Sequence, residues 1–301
     1  MSSPTILVKI ASYRDPELPK TIRSAIENAA HSDNLRFAIH NQDELKGNDD
    51  LKQWRKDPRF KITDVHWRDA AGVGNARAIN DSKWDGEDFI FQIDSHIRFG
   101  RNWDLRLLSD WSQHYNPNAV LSTYPHAYEY RNGKEVFDTS PYIPRRVVIQ
   151  GIVEDTVTVT DLYDQPVKTD RPHLLIAAGF VFARGIVSED VPNYANINYG
   201  EELMYSLQLF RKGYHVYTPK DSPIWHWYGD RGGTRKTPGM NVVQTTREAC
   251  NKVFFEPDSG QTKRPTRVFM KKLKLAYFLP DWPEDWPDPN NWDKEVNLVS
   301  V

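Results

Sequence analysis

Phe89-Ile90-Phe91-Gln92-Ile93-Asp94-Ser95-His96-Ile97-Arg98-Phe99 is a short apolar run that ends in an acid, a hydroxyl and an imidazole. Such a run with β-forming character reads as a buried strand. In an open α/β sheet, the carboxyl end of a strand is where a ligand site forms. Asp94 and His96 are two apart, so on an extended chain their side chains leave the same face. A carboxylate oxygen and an imidazole nitrogen converging on one point suit a divalent cation of the manganese type. The competing reading is a strand ending in a polar turn, with Asp94 capping a neighbour.

The 301-residue chain is long enough for one large domain or two smaller ones. Hydrophobic residues make up 39% and charged residues 27%, with Trp, Tyr and Phe all plentiful, as in a soluble globular protein. A net charge of −2 excludes a global field drawing the chain onto nucleic acid or an anionic membrane, though not a local basic patch. The lone Cys250 excludes an internal disulfide and a cysteine-based zinc cluster. No secretory pattern opens the sequence, and no stretch nears the roughly 18 apolar residues of a membrane span. A cytoplasmic enzyme or binding protein, without membrane contact, is expected.

Outward from the central stretch, strands and helices alternate. Thr5 to Ala11 reads as a strand stopping at Ser12-Tyr13-Arg14-Asp15-Pro16. A helix follows, with Pro19 in its first turn and Ile22, Ala25, Ile26 and Ala29 on one face. Leu35 to His40 and Phe60 to Trp67 read as strands, and the turn Gly72-Val73-Gly74 enters a helix through Asn80. This order predicts βαβ units and a mostly parallel sheet. The glycine turn is not a dinucleotide fingerprint, because Arg77 stands where a third glycine would be needed.

Beyond a helix over Asn102 to Tyr115, the helical period is lost from about 121 to 171, which predicts an antiparallel β insertion. Tyr124, His126, Tyr128 and Tyr130 alternate there, either as half-buried sheet packing or as an acceptor-binding wall. Leu174 to Ala183 reads as another core strand in which Gly179 permits close approach to the backbone. Glu201 and Glu202 open a helix, where two acids also favour the helix dipole. Trp225-His226-Trp227 follows, then a glycine loop, a basic run from Lys263 to Lys274 and a Pro/Trp-rich tail. We therefore expect a catalytic domain over 1–230 and an irregular C-terminal extension over 231–301.

The ordered set Ala11-Ser12-Tyr13-Arg14-Asp15, Gly72 to Ala76-Arg77, Asp94-Ser95-His96, Gly179-Phe180, Tyr199-Gly200-Glu201-Glu202 and Trp225-His226 resembles the GT-A glycosyltransferases. It looks most like the N-acetylglucosaminyltransferase family that includes the cytosolic enzyme modifying hydroxyproline on Skp1. It is similar, more distantly, to the polypeptide N-acetylgalactosaminyltransferases. The resemblance runs from about Ile6 to Gly229. It implies a Rossmann-like α/β fold with helices on both faces, a UDP-sugar donor (UDP-GlcNAc above all) and Mn²⁺ or Mg²⁺. It further implies that Asp94, His96 and His226 hold the metal, and that Ala11, Ser12, Tyr13 and Arg14 lie against the nucleoside. Arg77 is then expected to face the phosphates or fix Asp94, and Gly179 to leave room beneath the sugar. Glu201 is preferred for sugar hydroxyls or acceptor, and Glu202 is the alternative base; one helical step apart, the two point about 100° away from each other. The related families retain anomeric configuration.

Each residue has a bland rival. His226 between two tryptophans suits a packed histidine, and Arg14 and Asp15 could pair on the surface. The implied acceptor is a protein serine, threonine or hydroxyproline hydroxyl. A second acceptor is a hydroxymethylated pyrimidine of viral DNA, with Lys263 to Lys274 on phosphates and Arg131, Arg145 and Arg146 lining the channel. A non-catalytic nucleotide-sugar binding module is a further alternative.

Overall fold

The computed structural model describes residues 3–44, 50–153, 156–198, 200–229, 262–266 and 268–269. Its first half alternates as expected: β1 (Ile6–Tyr13), α1 (Leu18–Asn28), β2 (Leu35–Asp43), β3 (Phe60–His66), α2 (Val73–Asp81) and β4 (Phe89–Asp94). Next come β5 (Ile97–Phe99), α3 (Trp103–Ser112), β6 (Ala119–Leu121), β7 (His126–Arg131), β8 (Lys134–Phe137), β9 (Arg145–Val153) and β10 (Thr156–Pro166). The chain continues through β11 (Phe180–Arg184), α4 (Val187–Asp190), α5 (Glu201–Arg211), β12 (His215–Tyr217) and β13 (Ile224–Trp227).

Seven strands form the main sheet in the order β12-β6-β11-β4-β1-β2-β3. Every neighbouring pair is parallel except those of β11, which runs against β4 and β6. Strands buried on both faces need a layer on each. α1 and α3 pack with Ile6, Val8 and Ile10 on one side, while α4 and α5 pack with Leu7, Ile90 and Val181 on the other. Trp103 plugs the first layer against Phe91 and Phe99, and its indole N–H finds the Ala25 carbonyl at 2.8 Å. Among the described residues no helix is long and apolar enough to cross a membrane.

The segment expected as one antiparallel insertion divides. Leu121 still belongs to the main sheet, β9 and β10 form a separate hairpin, and β7 and β8 join a second sheet ordered β5-β13-β7-β8. In that sheet β13 pairs antiparallel with β5, setting His226 opposite Ile97, and parallel with β7. The aromatic row divides: Tyr128 on β7 is packing, 1% exposed under the Arg98 guanidinium at 4.9 Å with its hydroxyl donated to Glu17, whereas Tyr124, before β7, lines the cavity.

One expectation is corrected. Leu174 to Ala183 is not a continuous strand; only Phe180 onward joins the ladder, after a tight turn closed by Phe180 N–H on the Ala177 carbonyl at 3.0 Å. The preceding residues are apolar because they are buried. Their backbone donors are met by side chains instead: Ile176 by Ser206, Ala177 by Ser122 and Ala178 by Glu202. Of the expected C-terminal extension, the glycine loop and the Pro/Trp tail lie outside the described residues.

Candidate active site

β4 delivers Asp94 at its carboxyl end, and the chain bends at Ser95 and His96 before β5. His96 therefore reaches the site from a bend, not from the extended backbone its spacing suggested. β13 brings His226 in from 130 residues further on. The three donor atoms converge: His226 Nε2 stands 3.0 Å from Asp94 Oδ2 and 3.0 Å from His96 Nε2, and His96 Nε2 is 4.0 Å from Asp94 Oδ2. Ligands in adjacent octahedral positions at about 2.1 Å from a divalent ion lie about 3.0 Å apart, so this set fits such a cation. Burial opposes the charge on Asp94. The hydrogen bond from His226 and the charges of His226, His96 and Arg77 outweigh it and hold the carboxyl well below the usual range.

Arg14 and Asp15 do not pair with each other. The Arg14 guanidinium lies over the Trp67 ring at 4.5 Å. Asp15 is 5% exposed and accepts hydrogen bonds from His96 Nδ1 at 2.8 Å, Ser95 Oγ at 2.7 Å and Glu17 N–H at 2.9 Å. Its partner is 81 residues away, so no local pattern could signal it.

The triad sits in the wall of a cavity of about 610 Å³. Ala11, the sheet neighbour of Asp94, lines it with Tyr13, Gln42 and Tyr124, and the Tyr228 ring lies 4.1 Å from that of His226. Ser12 is 1% exposed and belongs to the other face of β1, and Arg14 is not among the lining residues. Gly179 lines the cavity, but the space it leaves is taken by Asp94: a Cβ there would come within 2.7 Å of Oδ2. Arg77, 6% exposed, bridges Asp94 Oδ1 at 3.6 Å and Glu201 Oε1 at 3.2 Å. Gly74 admits the loop leading to α5, since a Cβ would meet the Ile197 carbonyl at 2.1 Å. Gly74 N–H is capped by Asn198 Oδ1 at 3.0 Å, so this close packing ties the helix of Arg77 to the helix of Glu201.

The two glutamates diverge, as their adjacent helical positions require. Glu201 turns to Arg77, whereas Glu202 accepts the Ala178 N–H at 2.8 Å. Burial and the neighbouring charge of Glu201 push Glu202 up to about 8. Away from the cavity, Arg131 pairs with Glu129 on the surface, and Arg264 donates to the Tyr214 carbonyl at 2.8 Å and covers Phe210. The Arg146 side chain and Arg267, Lys271, Lys272 and Lys274 lie outside the described residues.

Comparison with known proteins is consistent with this arrangement. The profile of the family described as "Glycosyltransferase (GlcNAc)" matches residues 46–253. Among solved structures, the chain is similar to GalNAc-T7 crystallised with UDP, GalNAc and Mn²⁺, with a TM-score of 0.64 at 14% identity. That alignment covers 97% of this chain and 54% of GalNAc-T7, so the chain spans about half its length. It is also similar to S. aureus TarS 1-349 in complex with UDP-GlcNAc, with a TM-score of 0.56 at 11% identity, covering 98% of this chain and 76% of TarS 1-349. No curated protein matches the sequence. The fold is that of the GT-A glycosyltransferases, and the family match covers well over half of the chain: it belongs to the GlcNAc glycosyltransferase family.

Proposed function

We propose that this enzyme moves GlcNAc from UDP-GlcNAc to an acceptor hydroxyl, with Mn²⁺ or Mg²⁺ held by Asp94, His96 and His226. The observation carrying this reading is the convergence of those three donor atoms in the wall of a nucleotide-sugar-sized cavity. When bound, the ion supplies Lewis-acid neutralisation of the departing diphosphate. Arg77 adds a second positive charge beside Asp94 and holds Glu201 in place. Tyr13 and Gln42, neighbours at the ends of β1 and β2, offer a wall of the cavity for a nucleoside. Glu202 is turned onto the Ala178 N–H, whereas Glu201 is held by Arg77, so Glu201 is the better partner for sugar hydroxyls or acceptor. With Glu202 engaged by the backbone, front-face attack with retention is the preferred course. In it, the leaving phosphate takes the acceptor's proton.

A protein serine, threonine or hydroxyproline hydroxyl is the favoured acceptor, as in the narrower Skp1-modifying family. Nothing described favours a DNA acceptor, since Arg264 is already engaged with Tyr214 and Phe210. The test is mass spectrometry of protein, peptide and hydroxymethylated oligonucleotide acceptors incubated with a panel of nucleotide sugars and Mn²⁺. We expect a HexNAc mass on a protein hydroxyl, lost with EDTA. Transfer indifferent to EDTA, or confined to the oligonucleotide, overturns the reading.

A further inference from the structure

A histidine can ligate through Nε2 only if that nitrogen keeps its lone pair. Which nitrogen carries the proton is decided by what the other one meets. His96 is 3% exposed, so bulk water does not make the choice. Its Nδ1 faces Asp15 Oδ2 at 2.8 Å. That carboxylate already accepts from Ser95 Oγ through Oδ2 and from Glu17 N–H through Oδ1. With both oxygens already accepting, the carboxylate meets Nδ1 as an acceptor too, which places the proton on Nδ1.

We propose that Asp15 is the positioning residue of the metal centre. It fixes His96 in the Nδ1–H tautomer and turns the Nε2 lone pair toward Asp94 and His226. The inference rests on the metal-dependent reading above. It also gives the end of β1 and the loop after it a double part. Tyr13 lines the cavity two residues before Asp15 grips a ligand histidine, so one short loop joins the donor cleft to the metal centre.

Asp15 has an ordinary task as well. Its carboxylate and its carbonyl receive the N–H groups of Glu17 and Leu18 at the start of α1. The test must therefore separate positioning from capping. Asp15→Asn keeps the size and one acceptor for the Glu17 N–H but removes the negative charge. In this variant we expect Mn²⁺ affinity, measured calorimetrically without donor, to fall about 10–100-fold, with little change in the melting temperature of the EDTA-treated protein. ¹⁵N NMR of the EDTA-treated wild type should show His96 protonated at Nδ1, and this tautomer should lose its dominance in Asp15→Asn. Wild-type Mn²⁺ affinity in Asp15→Asn, or a wild-type His96 protonated at Nε2 alone, overturns the assignment. If Asp15→Asn fails to fold, the wild-type spectrum decides. A wild type whose Mn²⁺ binding is insensitive to His226→Ala would instead sink the metal reading itself, a separate result.

Discussion

The Nε2 atoms of His96 and His226 face each other across 3.0 Å, with Asp94 Oδ2 3.0 Å from the second of them. Two imidazole lone pairs repel at that distance, so either a proton or a cation must occupy the gap. Asp94 is the only anion of the three. Asp94→Asn keeps the shape and removes that charge; transfer should drop about 10²–10³-fold while the melting curve stays close to wild type. Near-normal turnover would remove Asp94 from the mechanism.

Gly179 matters through what it leaves out. Its backbone is not in the left-handed region, yet an added Cβ would press within 2.7 Å of Asp94 Oδ2. Gly179→Ala should therefore fold, displace the carboxylate and cost about 10²-fold in turnover. Weakened Mn²⁺ binding, read by calorimetry, should accompany the loss; a variant with wild-type metal affinity and turnover contradicts this role.

Glu202 sets a pH dependence. Its folded-state value of about 8 lies above the ordinary 4.5, so between those limits the unfolded chain has released a proton that the folded chain keeps. Stability must then fall as pH rises from 4.5 to 8. Glu202→Gln, whose amide oxygen can still accept from Ala178 N–H, should flatten that decline. Chemical denaturation in EDTA across this range checks it; parallel wild-type and variant profiles would refute it.

Trp103 tests the packing that carries the site. It is fully buried between α1 and β4, so Trp103→Ala should cost about 3–5 kcal/mol of folding stability by denaturant titration. A loss under about 1 kcal/mol would mean the layer collapses around the gap.

Much of this was legible in the chain, and the limits have physical reasons. The runs ending at Ala11 and Asp94 announced their strands because both faces of each are buried, although β1 continues to Tyr13. The Gly-x-x-x-Ala-Arg turn placed Arg77 correctly on a helix. Leu174 to Gly179 misled because burial alone makes a segment apolar, and hydroxyls and a carboxylate from elsewhere replace its ladder. Asp15 was hidden because a carboxylate beside an arginine suggests a local pair, whereas its partner is set by the pairing of β1 with β4 and the packing of α1 on β5. Gly74 reads in the sequence only as a turn entering a helix; its task of making room for the loop before α5 depends on residues far along the chain.

The central claim is that Asp94, His96 and His226 hold one cation against the donor's diphosphate. Pulsed electron paramagnetic resonance of Mn²⁺ with UDP measures this directly. The wild type should show couplings to two imidazole nitrogens, one of which disappears in His96→Ala and the other in His226→Ala. A bound Mn²⁺ spectrum without nitrogen coupling, or one unchanged in both variants, would contradict the account.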